Sequence, residues 1–211
     1  MRPLTRDLRF AALVCLLAVG AIAAAKSPDD PAKVSPLKVG TPAPAFVARE
    51  ADGKPFNFNP GKLARPTMLI FYRGGWCPYC NAHLKDLRTV VPKIRTLGYD
   101  VLFLSTDRPE ILVSSLKEPV DYHLLSDNDV NAARAFGVAF RLDDATFEKY
   151  KTYGLDLEQT QGAKHHELPV PAVFIVDRSG TIRFAHTNPD YTVRLPAADV
   201  LAAAQKANGK P

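Results

Sequence analysis

The stretch at residues 67–97 constrains the fold more than any other part of the sequence. It begins with a run of apolar and β-branched residues at 67–72, which is typical of a strand covered on both faces of a sheet. Arg73 and two glycines then form a turn, and Pro78 suits a first helical turn, where a missing N–H group costs nothing. The helical spacing behind it predicts one apolar stripe, made by Leu84, Leu87, Val91, Ile94 and Leu97. Cys77 and Cys80 therefore lie where a buried strand meets a helix N-terminus.

The first 25 residues have the pattern of a secretory signal peptide. Three arginines precede a short apolar core at 10–22, and three alanines before Lys26 offer a cleavage site near Ala25. The apolar run is short for a membrane span, so an uncleaved N-terminal anchor is the alternative. The sequence therefore predicts export, with the bacterial periplasm as the expected location and a mature protein that does not span the membrane.

Removal of this segment changes both the charge and the cysteine count. Three arginines and one aspartate leave with residues 1–25, so the formal net charge falls from +5 to +3. A net positive charge this small does not indicate nucleic-acid binding. Cys15 is also lost, which leaves Cys77 and Cys80 as the two cysteines of the mature chain. An exported protein with one such pair is not stapled by disulfides, so we expect the pair to react.

The remaining sequence predicts a flexible linker at 26–38 and one α/β domain at 39–208. A turn signal at 51–55 predicts a short N-terminal hairpin. Pro92 is expected to bend the helix that follows Cys80, and Gly98 to end it. Further strands are predicted at 100–105, 122–125, 172–177 and 181–186, and further helices at 109–117, 129–136, 143–153 and 196–207. The polar stretch 157–167 is interpreted as an inserted irregular loop, and the whole as a mixed central sheet flanked by helices.

Three separated motifs resemble known proteins. The segment Trp76-Cys77-Pro78-Tyr79-Cys80 resembles the thioredoxin active site. Val170-Pro171, just before a strand, resembles the cis-proline that faces that site in thioredoxin-like folds. The segments 39–46 and 71–81 are similar to the peroxiredoxin class that includes alkyl hydroperoxide reductase and thiol-specific antioxidant proteins (AhpC/TSA). The resemblance covers roughly residues 37–207 and implies a thioredoxin-like fold.

The resemblance also carries two departures. Peroxiredoxins have a Pro-x-x-x-Thr/Ser-x-x-Cys motif, which places Cys80 on the family's cysteine, Cys77 on its threonine and Arg73 on its proline. They also use an arginine before the strand at 172–177, where this chain has Pro171. The family's hydroxyl and guanidinium are thus missing from their usual places, and Arg73 is the candidate to replace the guanidinium.

The cysteine pair predicts redox chemistry. A helix N-terminus presents free N–H groups and a partial positive charge, which favour the thiolate of Cys77, and two intervening residues bring Cys80 within reach of a disulfide. Pro78 and Tyr79 are expected to tune the pair, Trp76 to shield it, and Pro171, if cis, to set the backbone of Val170 against it. The sequence leaves open which cysteine attacks first, because the thioredoxin alignment favours Cys77 and the peroxiredoxin alignment favours Cys80.

Our leading interpretation is a thiol-based antioxidant that reduces peroxides through a Cys77/Cys80 dithiol–disulfide cycle, without a cofactor and with a thioredoxin-type or other thiol reductant. The first alternative is a thioredoxin-like oxidoreductase acting on protein disulfides. The second is a copper-binding or metal-delivery module, for which His83, His165 and His166 would join the cysteines. No metal site is predicted in the leading interpretation.

Overall fold

The computed structural model describes residues 26–114 and 122–209. Nine strands make up two sheets of this part of the chain. The strands are β1 (Phe46–Arg49), β2 (Pro55–Phe58), β3 (Thr67–Phe71), β4 (Asp100–Ser105), β5 (His123–Ser126), β6 (Ala139–Arg141), β7 (Glu167–Pro169), β8 (Ala172–Val176) and β9 (Ile182–Thr187). The helices are α1 (Pro78–Leu87), α2 (Val91–Thr96), α3 (Pro109–Ser114), α4 (Asn131–Ala135), α5 (Asp144–Thr152), α6 (Leu157–Gln161) and α7 (Ala197–Ala207). None of the described helices is long and apolar enough to cross a membrane.

Seven strands form the central sheet in the order β2-β1-β5-β4-β3-β8-β9. β3, β4 and β5 are parallel, whereas β8 and β9 are antiparallel to their neighbours, so the sheet is mixed. The hairpin β1–β2 extends one edge by antiparallel pairing to β5. The thioredoxin-like α/β fold predicted from the sequence is confirmed.

The sheet has a core on each face, which explains why β3 is an uninterrupted apolar run. Met68 and Ile70 pack with helices α2 and α7 on one face. Leu69 and Phe71 pack with Phe136 and the hairpin on the other. Because successive side chains of a strand point to opposite faces, a strand between two cores must be apolar at every position. The strand therefore holds the loop that follows it in a fixed position.

The helix predicted behind the cysteines is two helices. Helix α1 ends at Leu87 and α2 begins at Val91, with a turn at 88–90. Pro92 lies in the first turn of α2, where its missing N–H group is tolerated, whereas inside a continuous helix its ring would collide with the carbonyl group one turn earlier. The predicted apolar stripe is confirmed, since Leu87, Val91 and Ile94 are buried and Leu84 and Leu97 pack against them.

The prediction of an irregular loop at 157–167 is wrong. Asp156 caps helix α6 by accepting a hydrogen bond from the backbone of Gln159, and strand β7 pairs with β6. Buried Gln161 links the two by donating to the Glu167 carbonyl and the Thr106 hydroxyl. Polar residues predicted as loop thus bind to one another and to the backbone. The last part of the helix predicted at 109–117 lies outside the described residues, as does the predicted signal peptide.

The segment predicted as a flexible linker packs against the domain. Ser27 donates a 2.7 Å hydrogen bond to the Glu167 carboxylate, which also accepts two hydrogen bonds from Arg134. The carbonyl of Pro28 accepts from the backbone of Arg141 at 2.8 Å. Gly137 permits this approach, because a Cβ atom there would lie 2.1 Å from the carbonyl oxygen of Ser35. Residues 26–38 are therefore part of the folded unit.

Candidate active site

The two cysteines lie at the end of the central strand, at the start of α1. Strand β3 ends at Phe71, a loop crosses residues 72–76, and Cys77 is the N-cap residue with extended backbone angles. Pro78 opens the helix, as predicted, and Cys80 lies within its first turn. Both cysteines are free thiols and both are buried, each with 1% of its surface exposed.

The hydrogen bond between the two thiols makes them chemically different. The Cys80 thiol donates to the Cys77 sulfur, and this bond is the main reason why the pKa of Cys77 is lowered to about 6. Burial opposes the shift, while the Cys80 backbone N–H and the charges of Arg73 and Arg194 add to it. The same hydrogen bond and burial raise the pKa of Cys80. Near neutral pH, Cys77 is the thiolate and Cys80 holds the proton.

Arg73 is not a solvated turn residue, because only 3% of it is exposed. Its guanidinium carbon lies 4.1 Å from the ring centre of Tyr191 and 5.0 Å from that of Trp76. It also donates a hydrogen bond to the hydroxyl of Tyr150. Three aromatic rings thus hold the cation beside the cysteines, an arrangement that favours a desolvated guanidinium.

Arg194 is a second cation at the site and was not predicted from the sequence. It lies on the segment 188–195 between β9 and α7, and its Nη2 atom is 3.4 Å from the Cys80 sulfur. The ring of His83 binds the carbonyl of Leu195 at 2.9 Å, which ties the segment to α1. No motif around residue 194 signals this contact, because it depends on a loop closing across the fold.

Asp107 is a buried carboxyl group that was also missed. One of its oxygens accepts hydrogen bonds from the backbone of Gly75 at 2.6 Å and from the Ser105 hydroxyl at 3.2 Å. Burial raises the pKa of Asp107 to about 6, against the lowering effect of these two donors. The position of Asp107 in the sequence could have indicated its place at the site. The parallel strands β3 and β4 end at the same sheet edge, so polar residues just after residue 105 lie near the cysteine loop.

The predicted aromatic residues occupy two different environments. Trp76 is half-buried, with its ring centre 5.9 Å from that of Tyr150, and so it shields the cysteine loop. Tyr79 is 47% exposed and contacts Tyr191 edge to face. These rings, together with Arg73, place an aromatic surface around the cysteine pair.

Val170 and Pro171 are not joined by the cis peptide bond that the resemblance implied. No peptide bond in the described ranges 26–114 and 122–209 is cis, so the bond before Pro171 is trans. Val170 packs in a separate small core with Phe140, Phe147 and Leu168, where its backbone N–H binds the carbonyl of Val138. Neighbouring strand pairing thus determines the position of Val170.

Each of the three histidines proposed for a metal site binds a different partner. His83 binds Leu195, whereas His165 binds the carbonyl of Asn128 at 2.8 Å and His166 stacks on Phe147. Within the part of the chain that the structure describes, no three or more His, Cys, Asp or Glu side chains are grouped to hold a metal ion. The metal-delivery alternative gains no support from this placement.

The fold and the buried cysteine pair define a thioredoxin-fold thiol oxidoreductase, and comparison with known proteins specifies the family. The AhpC/TSA family model matches residues 39–185, so the chain belongs to this family. Peroxiredoxin Bcp of Escherichia coli (strain K12) is 35% identical over 106 residues, covering 50% of this chain and 67% of that protein. The protein is accordingly a peroxiredoxin-like oxidoreductase.

Two more distant similarities extend over most of the chain. The thiol-disulfide oxidoreductase ResA of Bacillus thuringiensis is 24% identical over 175 residues, covering 83% of this chain and 84% of that protein. Among solved structures, the Xanthomonas campestris bacterioferritin comigratory protein, which is described with an alkyl peroxide reduction activity, aligns with a TM-score of 0.59. Its identity is 19%, and the alignment covers 82% of this chain and 98% of that one, so it supports the fold.

Proposed function

We propose that this protein is an exported thiol peroxidase that reduces hydroperoxides through a Cys77/Cys80 dithiol–disulfide cycle. The observation that carries the proposal is a thiolate kept almost out of contact with solvent. Cys77 has a lowered pKa, yet 1% of its surface is exposed. A small oxidant reaches such a sulfur more readily than a protein disulfide does, because disulfide exchange requires two sulfur atoms to meet in line.

In this cycle Cys77 attacks first. Its sulfur forms a bond to the oxygen that carries hydrogen, the O–O bond breaks, and its electron pair leaves on the other oxygen, which takes up a proton to give an alcohol or water. The product is a sulfenic acid on Cys77. Cys80 then attacks this sulfur and water is released, so two thiols and one hydroperoxide yield one disulfide, one alcohol and one water.

Return to the dithiol requires two electrons, and we propose a thioredoxin-type dithiol as their source. Its thiolate attacks the Cys77–Cys80 disulfide to form a mixed disulfide, which its second thiol resolves. This step requires the cysteine loop to open, because both cysteines are buried in the folded structure. The proposed export depends on the signal-peptide pattern of residues 1–25. Mass determination of the protein recovered from the producing cell tests it, because cleavage near Ala25 removes a defined mass.

Disulfide exchange is the second candidate function. The Cys-x-x-Cys spacing at a helix N-terminus supports it, as does the likeness to ResA over most of both chains. Parallel assays separate the two: the purified, reduced protein is mixed either with hydrogen peroxide or with insulin and a thiol reductant. The peroxidase proposal expects rapid loss of thiols with peroxide and slow insulin reduction, and the reverse pattern favours disulfide exchange.

A further inference from the structure

Unpartnered polar atoms gather at the cysteine site. In residues 26–114 and 122–209, seven buried side-chain nitrogen or oxygen atoms have no hydrogen-bond partner. Four of them belong to residues around the cysteines: Arg73 Nε, Trp76 Nε1, Asp107 Oδ1 and Arg194 Nε. Because an unsatisfied buried polar atom is destabilising, a group of them in one place points to a ligand that supplies the missing partners.

Two of these atoms, a donor and an acceptor, border one point in the loop that leads into Cys77. A Cβ atom on Gly74 would lie 2.2 Å from Trp76 Nε1 and 2.7 Å from Asp107 Oδ1. The two atoms are therefore at most 4.9 Å apart, the sum of these distances. Any side chain at position 74 would force them away, so the glycine lets an N–H donor and a carboxylate oxygen approach each other closely in this loop.

Both groups are held in place by other contacts. The second oxygen of Asp107 is fixed by Gly75 and Ser105, which orients the unpartnered oxygen. The indole ring of Trp76 contacts both the guanidinium of Arg73 and the ring of Tyr150. Neither group needs to reorganise to meet a ligand, which is the condition for effective stabilisation of developing charge.

We propose that Trp76 Nε1 and Asp107 Oδ1 form the hydroperoxide subsite, in which the carboxylate accepts the O–H of the attacked oxygen and the indole N–H donates to the leaving oxygen. This inference rests on the proposed peroxidase function. A hydroperoxide carries one O–H donor and oxygen lone pairs, which match one acceptor and one donor. A disulfide has no polar hydrogen and only weak sulfur acceptors, so it leaves both atoms unsatisfied.

The lowered pKa of Cys77 does not by itself give a fast reaction with peroxides. A fast reaction therefore requires a subsite that binds the peroxide oxygens. At pH 7 a thiol with a pKa of about 6, such as Cys77, is roughly 90% ionised. A free cysteine with a pKa of about 8.5 is roughly 3% ionised, so the lowered pKa increases the thiolate fraction by about 30-fold. The lower basicity costs about tenfold in nucleophilicity if the coefficient for disulfide exchange applies. The net gain is a few-fold, and any larger rate enhancement must come from groups that bind the peroxide oxygens.

Two substitutions test the subsite. Trp76→Phe keeps a ring against Arg73 and removes the N–H, and we expect the rate constant with hydrogen peroxide to fall by about 100-fold, as for loss of one oxyanion donor. In Asp107→Asn the backbone N–H of Gly75 binds the amide oxygen, so the amide nitrogen faces the subsite. The subsite then has a hydrogen-bond donor where the wild-type protein has an acceptor. We expect at least a tenfold fall. Asp177→Asn, at the far end of β8, is the control with a wild-type rate.

The pKa of Cys77, followed by thiolate ultraviolet absorbance in the Cys80→Ser background, separates binding of peroxide from a structural role. We expect it not to rise in either variant while the peroxide rate falls, since loss of the Asp107 carboxylate removes a negative charge near the thiols. Wild-type peroxide rates in both variants would overturn the subsite and leave the proposed function intact, and would indicate that Trp76 and Asp107 bind each other. A loss of peroxide rate that is explained by a raised thiol pKa would also overturn it. If the wild-type protein reacts no faster than free cysteine, the proposed function fails, and the subsite with it.

Discussion

The Nη2 atom of Arg194 lies 3.4 Å from the sulfur of Cys80, although the two residues are 114 positions apart in the sequence. The contact exists because the segment before α7 crosses the start of α1. Asp86 on α1 accepts a hydrogen bond from the backbone of Ala197, and His83 binds Leu195, so the chain is tied to α1 immediately after Arg194. A positive charge is thereby fixed over the thiol that holds the proton.

Replacement of Arg194 is expected to weaken the thiolate. Arg194 contributes to the lowered pKa of Cys77, as a smaller cause than the hydrogen bond from Cys80. In Arg194→Met the pKa of Cys77 should therefore rise by about one unit or less. Arg194→Lys, which keeps the charge, is the matched control and should change it less. Titration of thiolate absorbance measures both, and equal shifts would show that the charge is not the cause.

The hydrogen bond from Cys80 is expected to set the pH dependence. Below pH 6 both the Cys77 thiolate and the Asp107 carboxylate, whose pKa is also about 6, become protonated. The peroxide rate of the wild-type protein should therefore fall by more than about tenfold per unit below pH 6 and level off above pH 7. In Cys80→Ala the main cause of the lowered pKa is gone, so the inflection should move up toward the ordinary value of about 8.5. Cys80→Ser keeps a hydroxyl donor and should retain an inflection near 6. An unchanged profile in Cys80→Ala contradicts the role of this bond.

The order of attack is expected to follow the thiolate. Cys80→Ser treated with one equivalent of peroxide should stop at a sulfenic acid on Cys77, which dimedone traps and mass spectrometry locates. Cys77→Ser should form no such adduct at a comparable rate, because burial and a raised pKa keep Cys80 as the thiol. Rapid formation of a sulfenic acid on Cys80 in Cys77→Ser would reverse the order and support the peroxiredoxin alignment.

The sequence was sufficient for the parts of the molecule that depend on local pattern. Strand β3 and its neighbour at 100–105 were predictable because strands between two cores are apolar throughout. The cysteine pair at the start of α1 was predictable because glycine, proline and helical spacing act over a few residues. These elements alone fix the fold class and the position of the redox pair.

The remaining features depend on contacts between distant segments. Residues 26–38 were interpreted as a linker from their composition, and contacts with distant residues, such as that of Ser27 with Glu167, show that they are packed. Arg73 was predicted in a turn, and its burial was not predicted because its aromatic partners, Tyr150 and Tyr191, lie far away in the sequence. Polar side chains are buried only where specific partners meet them, and such partners leave no periodic signal.

The cluster of Ser27, Arg134 and Glu167 is expected to stabilise the fold. Removing one partner of a largely buried ion pair leaves a charge unpaired, so Glu167→Ala should lower the free energy of unfolding by about 3 kcal/mol. Asp144→Ala breaks an exposed ion pair with Arg141 and is the control, with a loss below about 1 kcal/mol. Urea unfolding measures both, and equal losses would contradict a special role for the buried cluster.

The most direct test is the second-order rate constant for thiol oxidation when the purified, reduced protein is mixed with hydrogen peroxide at pH 7. Loss of thiols is followed by rapid mixing, with free cysteine and Cys77→Ser measured under the same conditions. Thiolate ionisation alone predicts a few-fold advantage over free cysteine, and a peroxide-binding site predicts an advantage of at least about 100-fold that is lost in Cys77→Ser. A rate equal to that of free cysteine, or one retained by Cys77→Ser, would contradict a peroxidase centred on Cys77.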